Sequence, residues 1–448
     1  MDYDLKSLKN IVDNININFD INIDAIKSSR IFNTINECVT NIDMIDVHKT
    51  DSMFLRKMHD TKEYPLMFVV IRKLKELDLL DKLIPYSIDM KDFWLFMSWY
   101  REHHHVIDIH TLKHLMKTSG DDTLLSCYQV MFEHKDRISI HNILYENPFV
   151  SVDIQHHYES EDIIYEKYEG DGLIVNLYKL ASDRKTYINR IVTTVSLMKC
   201  FAKKYNGYIG DLRLNIFLGN QTKKLTINRD GNIPMCADNT NSGSCMPGEF
   251  INIWRKEEML KVLIHELIHF HKFDFNYTDN QYEYLEKTIN NVVKITGVDR
   301  CNESYTESLA ILIYLCVLCK MLSIDFHTLL NMELNFLLYQ VCKIIKYFGG
   351  ESIRDMFRIT FNQNTSIRSY FIIKYMILCN LDKFVKFIDD TGCTVKNNIY
   401  QYGDFINNVI NSHKYIHNTS KLFTDIIKID KPDFVNRTMR MSMFELFI

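Results

Sequence analysis

The stretch KVLIHELIHFHKFDF, Lys261–Phe275, sets three histidines and a glutamate among leucine, isoleucine, valine and phenylalanine. Buried polar side chains are costly unless they are satisfied together. Within the stretch, His265–Glu266–Leu267–Ile268–His269 reads HExxH. Residues four apart stack on one helix face, so His265 and His269 can aim ring nitrogens at one ion. Glu266 lies about 100° round the helix, within reach of a water on that ion without binding it. In this pattern two imidazoles hold Zn2+ and the glutamate is a general base. The competing reading is an accidental match on a greasy helix.

A catalytic zinc needs a third protein ligand and an open fourth position. The extension HExxHxxGxxH fails, because Lys272 and Phe275 stand where glycine and histidine are required. Downstream lies NESYTESLA, Asn302–Ala310. Glu303 and Glu307 share one helix face there, and Ala310 allows that helix to pack closely. Either carboxylate is a candidate ligand, and both are also compatible with a plain helix start. His271 sits about 160° from His269 and does not share its face. Asp274 suits either a hydrogen bond to a ligand histidine or a helix C-cap.

With HELIH and NESYTE together, the chain resembles the gluzincins, HExxH peptidases whose third ligand is a glutamate. Glu303, Thr306, Glu307 and Ala310 fit the second motif of that family, and Asn302 matches the Asn that often precedes the ligand. The resemblance implies Zn2+ on His265, His269 and Glu303, with Glu266 as base. Glu307 would orient His265, or would itself be the ligand. A peptide or protein substrate is implied, its backbone bound by an edge strand from Asn239–Gly243 or Phe250–Trp254. An oxyanion-stabilising group from the C-terminal part is also implied, with Tyr370 preferred over Arg368, His413 and His417. Residues 210–320, including INIWRKEEMLKV, are similar to metallopeptidases of large DNA viruses. That similarity adds host cytoplasm or virion as possible locations.

Outward from the motif, the chain changes character twice. The first 165 residues look mostly helical: VVIRKLKELDLLDKLI (Val69–Ile84) repeats apolar residues at three and four, and MKDFWLFMSWYREHH suggests a second helix. His103–His104–His105 do not share a face and are expected on the surface. GLIVNLYKL, LRLNIFLG and KLTIN alternate as half-buried strands do, FINIW reads as a short strand, and NRDGNIPMCADNTNSGSCMPGE as loop. The motif helix is expected from Arg255, with Glu257 and Glu258 in its first turn. QYEYLEKTINNVVKI, ended by Gly297, and NESYTESLAILIYLCVLCKML are further helices. The order predicts an α+β, predominantly helical fold with a zincin-like domain and a small mixed or antiparallel sheet. The expected parts are 1–165, 166–325 and 326–448.

Composition narrows the class. The 448 residues carry a formal charge of −4, which favours neither nucleic acid nor a polybasic membrane contact. Eleven cysteines, scattered through apolar stretches, suit a reducing, cytoplasmic compartment. Cys316 and Cys319 form a CxxC in a core-like helix pattern. No signal-peptide pattern opens the sequence, and the longest apolar run, Leu309–Cys319, is too short to span a bilayer. Two other readings stay open: a structural zinc site without catalysis, and a helical interaction protein. The sequence gives no indication of oligomeric state.

Overall fold

The computed structural model describes residues 9–55 except 11, 109–128, 149–225, 233–274, 279–393, 399–427 and 437–444, with isolated positions between 70 and 147. The expected helices over 69–84 and 90–104, and His103–His105, lie largely or wholly outside the described residues. The architecture is α+β and predominantly helical, with a mixed sheet.

Six strands form the main sheet: β1 (His48–Leu55), β2 (Ile163–Gly170), β3 (Leu173–Leu180), β4 (Leu212–Leu218), β5 (Gly243–Met246) and β6 (Phe250–Ile253). Their order is β1-β2-β3-β4-β6-β5, so β5 is an edge strand. β4 and β6 run parallel, with Leu214 opposite Ile251 and Ile216 opposite Ile253. β5 returns antiparallel to β6, with Gly243 opposite Ile253. In β4 every residue but Arg213 is buried, as a central strand covered on both faces requires. Its one polar inward group, Asn215, accepts from Asn176 at 2.9 Å and donates to Asn252 at 2.8 Å, so the ladder of amides is satisfied. A second sheet pairs β7 (Lys294–Gly297) with β8 (Thr360–Gln363).

Four helices build the surroundings of the motif: α1 (Ile188–Lys204), α2 (Met259–Phe270), α3 (Glu303–Leu322) and α4 (Phe326–Tyr347). α2 packs between α1, α3 and strands β5 and β6. Burial on almost every face explains why its sequence is apolar nearly all round. α3 is buried in the same way from Glu303 to Cys316. By length and composition α3 could cross a membrane, unlike the shorter run expected from sequence, yet 72% of its apolar window is buried inside the protein.

Several local expectations change. The motif helix starts at Met259, not Arg255, because Glu258 takes a left-handed conformation (φ 57°) as its N-cap. Its buried carboxylate turns away to bind the backbone of Met441 and Ser442. KLTIN keeps only an isolated bridge, from Lys224 to Thr438, and 226–228 lie outside the described residues. The helix over QYEYLEKTINNVVKI stops at Asn290, and Lys294–Gly297 is strand. Gly297 therefore closes β7 (φ 97°), where a Cβ would stand 1.9 Å from the Gln363 carbonyl oxygen.

The chain divides into two compact units, 1–52 with 166–178 and 184–448, and 53–165 with 179–183. This differs from the expected division at 165 and 325. The helices after 326 share one continuous hydrophobic core with α1, α2 and α3, so no boundary falls there. In the smaller unit, Ile109–Thr118 and Asp122–Tyr128 pack together as helices.

Candidate metal centre

His265 and His269 sit one turn apart on α2, with their rings at 75° and their Nε2 atoms 3.0 Å apart. Glu303, in the first turn of α3, brings Oε2 to 3.2 Å from His265 Nε2 and 3.4 Å from His269 Nε2. Two ligands about 2.0–2.1 Å from one tetrahedral ion lie about 3.3 Å apart. The three separations fit that triangle. Glu303 Oε2 is buried and has no hydrogen bond, so the carboxylate faces two ring nitrogens without being satisfied. One ligand atom each from His265, Glu266 and His269 also falls within 4.8 Å of the others, a group that could hold a metal ion.

The other ring nitrogens are held from behind. His269 Nδ1 lies 2.6 Å from Asp274 Oδ2, which also accepts from Asn302 Nδ2 at 3.1 Å. His265 Nδ1 approaches Glu307 Oε1 to 2.8 Å, close enough for charge attraction but without hydrogen-bond alignment. Glu307 is itself gripped by the ammonium groups of Lys261 and, at 3.1 Å, Lys374. Of the two candidate glutamates, Glu303 therefore faces both Nε2 atoms, whereas Glu307 stands behind His265.

Glu307 pairs with the ammonium groups of Lys261 and Lys374, while Glu303 faces the two imidazoles and Asp274 stands behind His269. Isolated buried charge is expensive, and the shifts follow from this. Burial disfavours the charged forms of His265 and His269, but Glu303 and Glu307 raise His265, and Asp274 and Glu303 raise His269 well above the usual imidazole value. Burial acts against ionised Glu307 too, yet Lys261 and Lys374 hold it well below the usual carboxylate range. For Glu266 burial wins, and its carboxyl is raised.

Gly243, the first residue of edge strand β5, lies directly over Glu266. A Cβ at 243 would stand 2.5 Å from Oε1 and 3.0 Å from Cδ, so any larger residue there makes this carboxylate shift. Tyr370 packs its ring 6.4 Å from that of His265 and rides on a π-helical turn, Arg368–Ile373. Burial, followed by the charges of Glu303, Glu266 and Glu307, keeps its phenol protonated. A cavity of about 30 Å3 opens between Glu266, Ser242, Lys261, Val262, Tyr370 and Met441.

The remaining candidates fall elsewhere. Arg368 is fully buried, with Nε on Asp299 at 2.7 Å and Nη1 on the Val293 carbonyl at 2.8 Å, so it braces the small sheet. His417 stacks edge-on against Phe19, and His413 neighbours Tyr415. Neither belongs to a metal-holding group among the described residues. His271 Nδ1 donates to the Tyr208 carbonyl at 2.6 Å, and burial drives its pKa down to about 4. Cys316 is buried in α3, and Cys319 follows it one turn later, both as free thiols. Sequence reading missed Lys261, Lys374 and Met441 and named Gly243 only as the end of a candidate edge strand; Asn239 and Thr240 are instead helical, Phe250–Ile253 is an inner strand, and the edge strand is Gly243–Met246. Lys261 was legible, since it precedes His265 by four residues on the same face. Comparison with protein-family models, curated proteins and solved structures finds no match to the chain.

Proposed function

We propose that the protein is a zinc-dependent peptidase of gluzincin type, with His265, His269 and Glu303 as ligands and a zincin-like arrangement of α2, α3 and edge strand β5. The observation that carries this reading is the buried, unsatisfied Glu303 Oε2 poised against two Nε2 atoms. Nitrogen and carboxylate donors in a two-histidine, one-glutamate set suit Zn2+ with a fourth position open. When bound, the ion supplies Lewis acidity, lowering the pKa of a water and polarising the scissile carbonyl. Glu266 accepts the proton of the attacking water and passes it to the leaving amine nitrogen. Asp274 and Glu307 fix the ring orientations of His269 and His265, as partners behind metal-binding histidines do. β5 ends the sheet, where an extended peptide can add as a further strand, and protonated Tyr370 can donate to the oxyanion. The reading carries with it a peptide or protein substrate. A cytoplasmic setting, or a virion for a viral protein, accords with the eleven free cysteines.

Glu266→Gln tests the assignment. The amide is nearly isosteric and takes no proton, so peptide-library cleavage should fall by about 10²–10⁴, with about one zinc per chain in both proteins. Equal cleavage by the two removes Glu266 as base. Zinc bound in both with cleavage in neither favours a structural site.

A further inference from the structure

The cavity beside Glu266 limits what the site can accept. Its volume is about 30 Å3. An apolar cavity of about 150 Å3 holds a benzene ring, so a fifth of that space admits a methyl or hydroxymethyl group but no branched or aromatic side chain. Met441 and Val262, both buried, are its apolar lining residues. Polar groups line it too: Ser242, and the ammonium groups of Lys223 and Lys261, each held by a carboxylate, Glu258 and Glu307. Because β5 begins at Gly243, immediately over Glu266, a peptide extended along that edge passes the mouth of the cavity. One side chain next to the bond being cut must then enter it.

From this geometry we infer that the protein selects a small residue, glycine, alanine or serine, beside the scissile bond, and that Met441 from the C-terminal segment sets that limit. The inference rests on the proposed peptidase reading. Leucine or phenylalanine cannot enter without displacing Met441 or Val262.

Binding can be read separately from turnover. The zinc-loaded protein would be titrated calorimetrically with hydroxamate-capped dipeptides that differ only in the residue beside the hydroxamate: alanine, serine, leucine or phenylalanine. The alanine and serine compounds should bind at least about tenfold more tightly than the other two, given that one misfit methylene costs about 10–200-fold. Met441→Ala should raise the leucine-to-alanine affinity ratio by about tenfold. Val262→Ala, which enlarges the same cavity, serves the same purpose should the first variant not fold. Tight binding of leucine and phenylalanine by the unaltered protein, or an unchanged ratio in the folded variants, overturns the size limit alone. No binding of any compound overturns the peptidase reading, and the inference with it.

Discussion

At the scale of single residues, Glu303 and Glu307 are one turn apart yet do different work. Glu303 meets the two Nε2 atoms, whereas Glu307 pairs with two buried ammonium groups. Glutamine at 303 should remove most zinc binding with a small effect on stability. Glutamine at 307 should cost about 10–100-fold in zinc affinity and about 3–5 kcal/mol in stability, because Lys261 and Lys374 lose a charged partner. Zinc titration and denaturant unfolding of both variants check this, and the opposite order would transfer the ligand to Glu307. Gly243→Ala should leave zinc in place and lower turnover by about 10²-fold, the cost of shifting a reacting group by about 1 Å. Unchanged turnover would show that the strand can retreat. HExxH exposed His265, Glu266 and His269 in the sequence because helical spacing alone brings them together. Gly243 and Met441 were not legible, since their role depends on contacts across the fold.

At the scale of elements, the strongest signals were those with a period. β3, β4 and β6 alternate or run apolar, and α3 is apolar from Leu309 to Cys319, so each was visible. β5, written GSCM, looks like loop because an edge strand of four residues needs no hydrophobic pattern. The π-helical turn at Arg368–Ile373 has no sequence signature either. The joint between α4 and the C-terminal segment also escaped notice. There Glu333 accepts from Ser442 Oγ at 2.9 Å and from Met443 N at 3.0 Å. Burial pushes its carboxyl from 4.5 up to about 7, with Lys374 and these two donors opposing the shift and Glu258 adding to it. The folded state therefore holds this proton more tightly than the unfolded state. The resulting stabilisation is full below about pH 4.5 and is lost as pH rises towards 7, by up to about 3 kcal/mol. Denaturant unfolding across pH 4.5–7 should show a steeper loss in the native sequence than in Glu333→Gln. Parallel slopes would mean that Glu333 is ionised throughout.

At the scale of the whole molecule, residues 437–444 act as a fastening. Glu258 holds the backbone of Met441 at 2.9 Å and Ser442 at 2.6 Å, Lys374 holds the Met441 carbonyl at 2.9 Å, and Gln340 the Arg440 carbonyl at 2.6 Å. A chain cut after 436 strands these buried groups at about 1–3 kcal/mol each, against a total of about 5–15 kcal/mol. It should melt without a cooperative transition in circular dichroism. A sharp transition near that of the intact chain would assign the segment a lesser role. Met439, Met441 and Met443 alternate with Thr438, Arg440 and Ser442 as a strand would, yet the segment forms only an isolated bridge at Thr438, and its partners lie far away in the sequence, so the arrangement was hidden. Its position in the chain also fixes a timetable. A polypeptide made from its N-terminus has all three candidate ligands long before it has Met441. Met441, which lines the cavity beside Glu266, is therefore added after them, so during synthesis the candidate ligands precede part of that lining.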